Sequence, residues 1–130
     1  MNEQLKWNIN LQVIHGPTLS LAGDLSIDAY DKISVDVVHD APAVTIDVQP
    51  GDAGEVLFLL IRSDRYGAGL TYKVNGAGAA VVIDQPQFFL GTGAMSLFSD
   101  APKTLEVENK LTSSEDAKLE ILVGRTAVPG

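Results

Sequence analysis

Hydrophobic and polar residues alternate with a period of two along most of the chain. The clearest example is near the N-terminus, where every second residue from Leu5 to Val13 is apolar and most residues between them are polar. Successive side chains of a β-strand point to opposite faces, so this pattern predicts a strand with one buried face. Gly16-Pro17 follows the strand and predicts the turn that ends it.

Alternating segments of the same kind recur to the end of the sequence. Two residue pairs are expected to interrupt them, Gly23-Asp24 by a bulge or turn and Asp31-Lys32 by separating two strands. The run from Glu55 to Arg62 is apolar at odd and even positions alike, a pattern that a short helix or a central strand would give, and its flanking turn residues favour the strand. The other alternating apolar positions are Leu19, Leu21, Leu25, Ile27, Ile33, Val35, Val37, Val44, Ile46, Val48, Leu70, Tyr72, Val74, Leu105, Val107, Leu119, Ile121 and Val123.

Turn signals separate these segments. Pro50-Gly51-Asp52 and Asn75-Gly76 carry residues that tight turns prefer. The aromatic segment from Phe88 to Phe98, with glycines at its centre, is expected to fold as a further hairpin. The polar stretch from Thr112 to Lys118 has serines that would cap one helical turn. No stretch of about 12 residues carries an apolar helical face with caps.

Short strands divided by turn signals every ~8–12 residues are typical of β-sandwiches and jelly rolls. We therefore expect an all-β chain that forms a single antiparallel β-sandwich domain over residues 1–130. The sandwich is expected to be jelly-roll-like, with nine or ten short strands. The ends near residues 1–4 and 126–130 are expected to be flexible.

Composition narrows the chemistry that the chain can perform. It has 130 residues, a net charge of −8 and no cysteine, so disulfides, thiolate nucleophiles and cysteine-ligated metals are excluded. An acidic surface repels phosphate backbones and anionic lipids, which argues against nucleic-acid and membrane partners. The first residues lack the basic start and apolar stretch of a secretion signal. The longest apolar run, from Val56 to Ile61, is far shorter than the roughly 18 residues of a membrane helix.

The two histidines are the strongest candidates for chemistry. His15 and His39 each lie at the end of a predicted strand, and Asp36 or Asp40 would complete a metal site if both rings converged on it. No short His-x-His spacing supports such a site. A nucleophile elbow, a phosphate loop and a dinucleotide fingerprint are likewise missing from the sequence. We expect no catalytic residues, no metal and no cofactor.

Acidic residues offer a second, weaker candidate site. Asp24, Asp28 and Asp31 lie close together in the sequence but lack the glycine and the terminal glutamate of a calcium loop. Calcium held between loops is one interpretation of these residues. The other is that their charges discourage strand edges from pairing with other chains.

The aromatic residues bear on partners rather than on chemistry. Trp7 alternates with apolar residues and is expected to lie in the core. Phe88 and Phe89 are adjacent, so a strand would point them to opposite faces. Either one of them faces a neighbouring subunit, or the strand is covered on both faces within one domain. The predicted partner-contact residues are Tyr66, Phe88, Phe89, Met95 and Phe98.

Three features give the chain the overall style of a known group of proteins: its cysteine-free acidic composition, the run PQFFLGTGAMSLFS from Pro86 to Ser99, and the closing stretch LEVENKLTSSEDAKLEILVGR from Leu105 to Arg125. In this style the chain resembles the small virion proteins of tailed bacteriophages, especially capsid decoration or cement proteins. The resemblance implies a β-sandwich or jelly-roll subunit that binds the outside of a capsid, often as a trimer. Phage tail and baseplate proteins share the style, so the place on the particle stays open.

We therefore expect a non-enzymatic structural protein that is made in the host cytoplasm, self-associates and docks on the major capsid protein at the capsid exterior. Candidate arms that order on binding are Met1–Gln4 and Val128–Gly130. One alternative is a phage tail or baseplate protein. Another is a carbohydrate-binding or adhesive β-sandwich, with Trp7, Tyr66 or Tyr72 exposed on one concave face. A third is a metal-dependent enzyme of jelly-roll type.

Overall fold

The computed structural model describes residues 3–48, 56–98 and 102–126. Within these ranges the chain forms ten β-strands and one short helix. In chain order they are β1 (Glu3–Gln12), β2 (Thr18–Ile27), β3 (Ala29–Val37), β4 (Val44–Asp47), β5 (Val56–Ser63), β6 (Leu70–Val74), β7 (Ala77–Val82), β8 (Gln87–Leu90), α1 (Gly91–Met95), β9 (Thr104–Asn109) and β10 (Ala117–Arg125). The strand pairs are antiparallel, so the prediction of an all-β chain with nine or ten strands is confirmed.

Strands β3 to β10 form two four-stranded sheets. Sheet 1 has the order β3-β10-β5-β8, sheet 2 has the order β4-β9-β6-β7, and β1 pairs with β2 as a separate hairpin. The chain crosses between the two sheets at each connection from β3 to β10 except the β6–β7 hairpin, which stays within sheet 2. Eight strands wound in this order make a jelly roll, as the alternation predicted.

Apolar side chains from the inner faces of both sheets meet between them. Each such aliphatic or aromatic side chain contributes roughly 1.5–3 kcal/mol when it is fully buried, so this layer is the main source of stability. The buried core residues are Val37, Ile46, Val48, Val56, Leu59, Ile61, Leu70, Tyr72, Ile83, Met95, Leu105, Val107, Leu111, Ala117, Leu119, Ile121 and Val123.

Strand β5 is apolar on both faces because each face packs against different neighbours. Leu59 and Ile61 point into the core between the sheets. Phe58 and Leu60 point to the outer face of sheet 1, where the register pairs them with β10 and β8. The prediction of a central strand is confirmed from Val56 onward, and Glu55 lies outside the described residues.

The predicted interruption at Gly23-Asp24 is wrong. β2 runs through both residues with an unbroken register against β1. Gly23 is present because it lies under the ring of Trp7, the residue opposite it, and not because the chain turns there.

The predicted separation at Asp31-Lys32 is also wrong. Both residues lie within β3, where Asp31 binds Arg125 of the neighbouring strand at 2.6 Å. The boundary between β2 and β3 is Asp28, whose backbone amide donates to the carbonyl of Arg125 at 3.0 Å. Asp31 therefore forms an ion pair inside β3 and does not mark the end of a strand.

The hairpin predicted from Phe88 to Phe98 is wrong as well. β8 ends at Leu90, and Gly91 turns the chain into α1 with a φ of +87°. Glycine adopts a positive φ at little cost, which explains its presence at this point. The short helix then directs Met95 into the core.

The other predicted turns have mixed outcomes. The turn at Asn75-Gly76 is confirmed, with φ values of +56° and +69°. The stretch from Thr112 to Lys118 contains turns and the first residues of β10 but no helix. Pro50-Gly51-Asp52 lies outside the described residues.

Of the two predicted flexible ends, Glu3 and Gln4 are paired strand residues of β1. The rest of the N-terminal arm, Met1 and Asn2, lies outside the described residues, as do residues 127–130. Thr126 is described and follows β10 directly.

Tyr72 makes the core sensitive to alkaline pH. Its ring is 1% exposed, and its hydroxyl donates to Oε1 of Gln87 at 2.8 Å. Burial raises the pKa of Tyr72 to about 12. A tyrosine in an unfolded chain ionises near pH 10. Because the folded pKa is higher, the stabilisation is complete below about pH 10 and is lost as the pH rises towards 12.

We expect Tyr72→Phe, which cannot ionise, to keep more of its stability in alkali than the wild type does. At pH 8 the variant should be about 1 kcal/mol less stable, because it lacks the hydrogen bond to Gln87. At about pH 11 this deficit should be smaller than at pH 8, and urea unfolding at these two pH values measures the free energy of unfolding of both proteins. Tyr30→Phe, at an exposed tyrosine, is the control and should match the wild type at both values. A deficit that does not change with pH would contradict the prediction.

Candidate interaction surface

β1 and β2 form a long amphipathic hairpin beside the jelly roll. All ten residues of β1 pair in register with residues of β2. Because side chains alternate along a strand, even-numbered residues form one face of the hairpin and odd-numbered residues form the other. The even face is polar: Gln4 Nε2 donates to Ser26 Oγ at 3.0 Å, and Ser20 Oγ donates to Asn10 Oδ1 at 2.7 Å.

The odd-numbered face is apolar beyond Glu3, half-buried near the root and exposed towards the turn. Leu11 is 56% exposed, Leu19 57% and Leu21 39%, since the two strands contact each other far more than they contact the described part of the sandwich. The prediction that Leu5 to Val13 buries its apolar face is therefore wrong. We call this surface the hairpin face; its residues are Leu5, Trp7, Ile9, Leu11, Leu19, Leu21 and Leu25.

Trp7 lies half-buried on the hairpin face and not in the core, where its alternation placed it. Its indole lies across Gly23, and a Cβ atom added there would be 2.6 Å from Cζ2 of the ring. Glycine is thus required for this close approach. A tryptophan held in one orientation loses little conformational freedom on binding, which is a property of interface anchors.

The turn of the hairpin extends the apolar surface to its tip. Val13 and Ile14 are strongly exposed, and the neighbouring His15 has a φ of +65°. Two backbone hydrogen bonds close the turn: the amide of Val13 donates to the carbonyl of Pro17, and the amide of Gly16 donates to the carbonyl of Val13. The hairpin therefore ends in two aliphatic side chains that contribute nothing to the core.

The outer face of sheet 1 carries a second apolar surface. Leu122, Leu60 and Phe88 lie side by side on three neighbouring strands. Phe88 is 37% exposed and Tyr30 is 55% exposed. We call this surface the outer patch; its residues are Tyr30, Phe58, Leu60, Phe88, Leu90 and Leu122.

The outer face of sheet 2 is polar on β4, β9 and β6, in contrast to the outer patch, while the edge strand β7 places Val82 opposite Thr71. A sheet face that meets water normally carries polar residues, and sheet 2 follows that rule. The outer face of sheet 1 is apolar instead, which is the composition of a sheet face that packs against another structural element or another molecule. The polar residues on sheet 2 are Thr45, Asp47, Thr71, Lys73, Glu106 and Glu108.

The hairpin face and the outer patch meet at the root of the hairpin. Leu5 and Ile27 line one pocket there together with Tyr30, Phe58 and Leu122. Ile27 and Phe58 are buried at this point, although neither belongs to the core between the sheets. The two apolar surfaces are therefore continuous.

Ion pairs form a charged rim beside the outer patch. Glu120 binds Arg62 at 2.9 Å and Lys32 at 3.6 Å. Such exposed pairs contribute little to stability. An apolar centre with a polar rim is the usual composition of a protein interface.

The five predicted partner-contact residues do not form one surface. Phe88 lies on the outer patch, while Phe89 points to the other face and packs against Phe98 with ring centroids 4.9 Å apart. The expectation that Phe88 and Phe89 face opposite sides is confirmed. Met95 is buried in the core, and Tyr66 is half-buried against it.

The three aromatic residues expected for a carbohydrate platform do not share a concave face. Trp7 lies on the hairpin face, and Tyr72 is buried in the core. Tyr66 packs against the core. The expectation of an exposed aromatic platform is therefore wrong for this set of residues.

Of the residues considered for metal binding, His39 and Asp40 make other contacts, and Asp36 lies on β3 opposite Lys118. His39 Nε2 lies 2.9 Å from the carbonyl oxygen of Leu111. Asp40 binds the ammonium of Lys110 at 3.0 Å, and this hydrogen bond lowers the pKa of the carboxyl. His15 lies on a different element, in the hairpin turn. No group of three or more potential ligands is arranged for a metal in the part of the chain that the structure describes.

The three aspartates considered for calcium binding lie on two strands and the boundary between them rather than in one loop. Asp24 lies within β2, opposite Lys6. Asp31 lies within β3 and binds Arg125. Asp28 occupies the position between the two strands.

No family model matches the chain, and neither a curated protein nor a solved structure matches it. Among the described residues, no helix is long and apolar enough to span a membrane. The strand order defines the class as a jelly roll with an added amphipathic hairpin. A jelly roll hosts many functions, so the function has to be argued from the two apolar surfaces.

Proposed function

We propose that the protein is a non-enzymatic structural subunit that self-associates and docks on a larger particle. The observation that carries the proposal is the exposed hairpin face, with Leu11 and Leu19 each more than half exposed. An isolated two-stranded hairpin is marginally stable at best in water. Large contiguous apolar surfaces on soluble proteins mark sites of interaction. The hairpin face therefore fits a surface that another protein covers.

The most concrete form of the proposal is a capsid decoration protein of a tailed bacteriophage, bound to the major capsid protein on the capsid exterior. The resemblance in composition and in the two sequence stretches supports this choice, and jelly rolls are a common architecture of viral capsid proteins. The net charge of −8 would keep separate copies soluble in the host cytoplasm before they assemble. A phage tail or baseplate protein is the alternative that the same surfaces would serve.

The test is co-sedimentation with empty shells assembled from the major capsid protein encoded in the same genome. We expect the wild-type chain to sediment with the shells in a fixed, saturable ratio. Leu11→Asp/Leu21→Asp should reduce the bound fraction roughly tenfold or more, because two carboxylates would lose their hydration in the apolar contact that the hairpin face makes in the docked assembly, with a neighbouring subunit or with the shell. Both residues are exposed in the folded chain, so the variant should keep its fold.

The matched control is Asn8→Asp/Asn10→Asp, which adds the same charge to the polar face of the same hairpin. It should bind shells as the wild type does, and circular dichroism should show that both double variants are folded. Shells that sediment without the wild-type chain would contradict capsid decoration. Binding to purified tails instead of shells would favour the tail or baseplate alternative.

A further inference from the structure

We infer that the hairpin face of one copy packs on the outer patch of a second copy. This inference rests on the proposed self-association and names the surface that receives the hairpin. Each chain carries both halves of the contact, the projecting hairpin and the apolar flank of sheet 1. Since every copy donates one hairpin and receives one, the contact builds a twofold pair or a ring where the rotation between copies closes, and an open filament where it does not.

The root of the hairpin shows that the two surfaces fit each other. Within one chain, Leu5, Ile27 and Phe58 line one pocket at this root, where Ile27 is 4% exposed and Phe58 is 1% exposed. The hairpin is anchored at this point, and its distal residues extend beyond it. Leu60 and Phe88 of the outer patch remain accessible in the described structure, and the same kind of side chain from a neighbour would cover them.

The area that would be buried favours packing of the hairpin face on the outer patch over packing of two hairpin faces on each other. β1 and β2 have ten residues each. At ~3.4 Å per residue and ~4.8 Å between strands, the residue pairs beyond the root, from Lys6–Asp24 to Gln12–Thr18, cover roughly 24 by 10 Å. Donating one such surface and receiving another covers roughly 500 Å² per subunit, which is the size of a small interface rather than of the standard one of about 800 Å² per partner. Stacking two hairpin faces on each other would cover about half as much.

The distribution of charge agrees with a second copy as the occupant. The residues that define the hairpin face and the outer patch are uncharged, and the nearby Lys32 and Arg62 both pair with Glu120. Glu3 lies at the root of the hairpin, where the two surfaces of one chain meet, and not on the distal part that would contact a neighbour. The contact therefore brings together two uncharged surfaces and buries no unpaired charge. A phosphate-rich partner would instead meet an uncharged surface on a chain of net charge −8.

The chain has no cysteine, so single-cysteine variants report contacts without background. Leu11→Cys, Leu19→Cys and Leu21→Cys are each mixed with Leu60→Cys or Phe88→Cys and oxidised. We expect disulfide-linked heterodimers for at least one of these pairs, because residues in contact across an interface reach the Cβ separation of about 4 Å that a disulfide needs. Non-reducing electrophoresis measures the linked fraction.

The matched controls use the opposite faces of the same elements. Asn10→Cys and Ser20→Cys lie on the polar face of the hairpin, and Thr71→Cys lies on the outer face of sheet 2. Each should give roughly tenfold less heterodimer than the best pair. Cross-links confined to two hairpin faces would overturn the inference but leave self-association standing.

Trp7 gives a second readout on the unmodified protein, because it is the sole tryptophan and lies on the hairpin face. Its emission should shift to shorter wavelength as concentration rises, in step with the mass measured by light scattering. Leu60→Asp places a charge in the outer patch, which receives the hairpin face, and should abolish the shift. An associated protein with an unshifted spectrum would overturn the inference, and so would a protein that stays monomeric at high concentration. A protein that stays monomeric would also contradict the proposed self-association, whereas an associated protein with an unshifted spectrum would overturn this inference alone. Sedimentation with shells tests docking separately from both results.

Discussion

Asn109→Asp is expected to destabilise the folded chain by about 3 kcal/mol or more at pH 7. Asn109 is fully buried at the end of β9. Its amide donates to the carbonyls of Val37 at 2.9 Å and Glu115 at 3.0 Å, and its Oδ1 accepts from the amide of Leu111 at 3.1 Å. A carboxylate keeps the acceptor but loses both donors. An ionised group would then face two carbonyl oxygens away from water.

The size of this effect should depend on pH in a defined direction. Burial without a donor raises the pKa of a carboxyl above the value of about 3.9 found in unfolded chains. The protonated acid can donate one of the two lost hydrogen bonds, so the destabilisation is smallest below about pH 4 and grows as the pH rises. Urea unfolding of the variant and the wild type at pH 4 and pH 7 measures the difference.

Asn75→Asp is the matched control for this prediction. Its Oδ1 accepts hydrogen bonds from the backbone amides of Lys103 and Thr104, and a carboxylate can accept both. Asn75 is exposed and has a φ of +56°, a conformation that aspartate tolerates nearly as well as asparagine. The control should change stability by less than about 1 kcal/mol. Equal losses from the two substitutions would contradict the role given to Asn109.

Alternation along the chain was sufficient to predict the strands but not what covers each face. β1 and β10 have the same pattern of apolar residues at every second position. Leu119 and Ile121 of β10 are buried, because that strand lies between two neighbours in sheet 1 and faces sheet 2. Leu11 of β1 is exposed, because its strand has a single neighbour and no opposing sheet. What covers a strand face depends on pairing and packing with strands that are distant in sequence. A local pattern of apolar residues carries no information about those strands.

The outer patch was missed for a related reason. The run in β5 is apolar on both faces, and this pattern predicts a central strand without indicating what covers its second face. Leu60 is in fact only half-buried, and its neighbour Leu122 lies beside it on β10. Phe88 was the one member of the patch predicted as a contact, because its adjacency to Phe89 required the two rings to diverge. The apolar residues at the outward positions of β5 indicated the other members of the outer patch. The sequence pattern does not show whether another part of the same chain covers those positions.

Asn109 shows what the period can and cannot predict. It continues the inward series of Leu105 and Val107, so its position on the inner face follows from alternation. Its role does not, because the groups that it satisfies belong to Val37 and Glu115, on other parts of the chain. A buried amide needs such partners, and their identity emerges only from the three-dimensional fold.

Gly124→Ala is expected to destabilise the chain by about 2–3 kcal/mol and to disturb the outer patch. Gly124 lies opposite Phe58, and a Cβ atom added there would be 2.6 Å from Cδ1 of the phenyl ring. The ring is buried and packs edge-on against Phe88, with centroids 6.4 Å apart. It cannot move aside without displacing Phe88 or the root of the hairpin. Thermal and urea unfolding measure the loss.

Phe58→Leu in the same chain tests the cause of the loss, because leucine lacks the ring atoms that would clash. The double variant should lose less stability than the sum of the two single variants, with a coupling of about 1 kcal/mol or more. Gly93→Ala is the matched control: no atom lies within 4 Å of its added Cβ, and its stability should be nearly unchanged. Since Phe58 supports the hairpin at Ile27, Gly124→Ala should also lower the yield of hairpin-to-patch cross-links. Additive losses from Gly124→Ala and Phe58→Leu would show that the two residues do not compete for the same space.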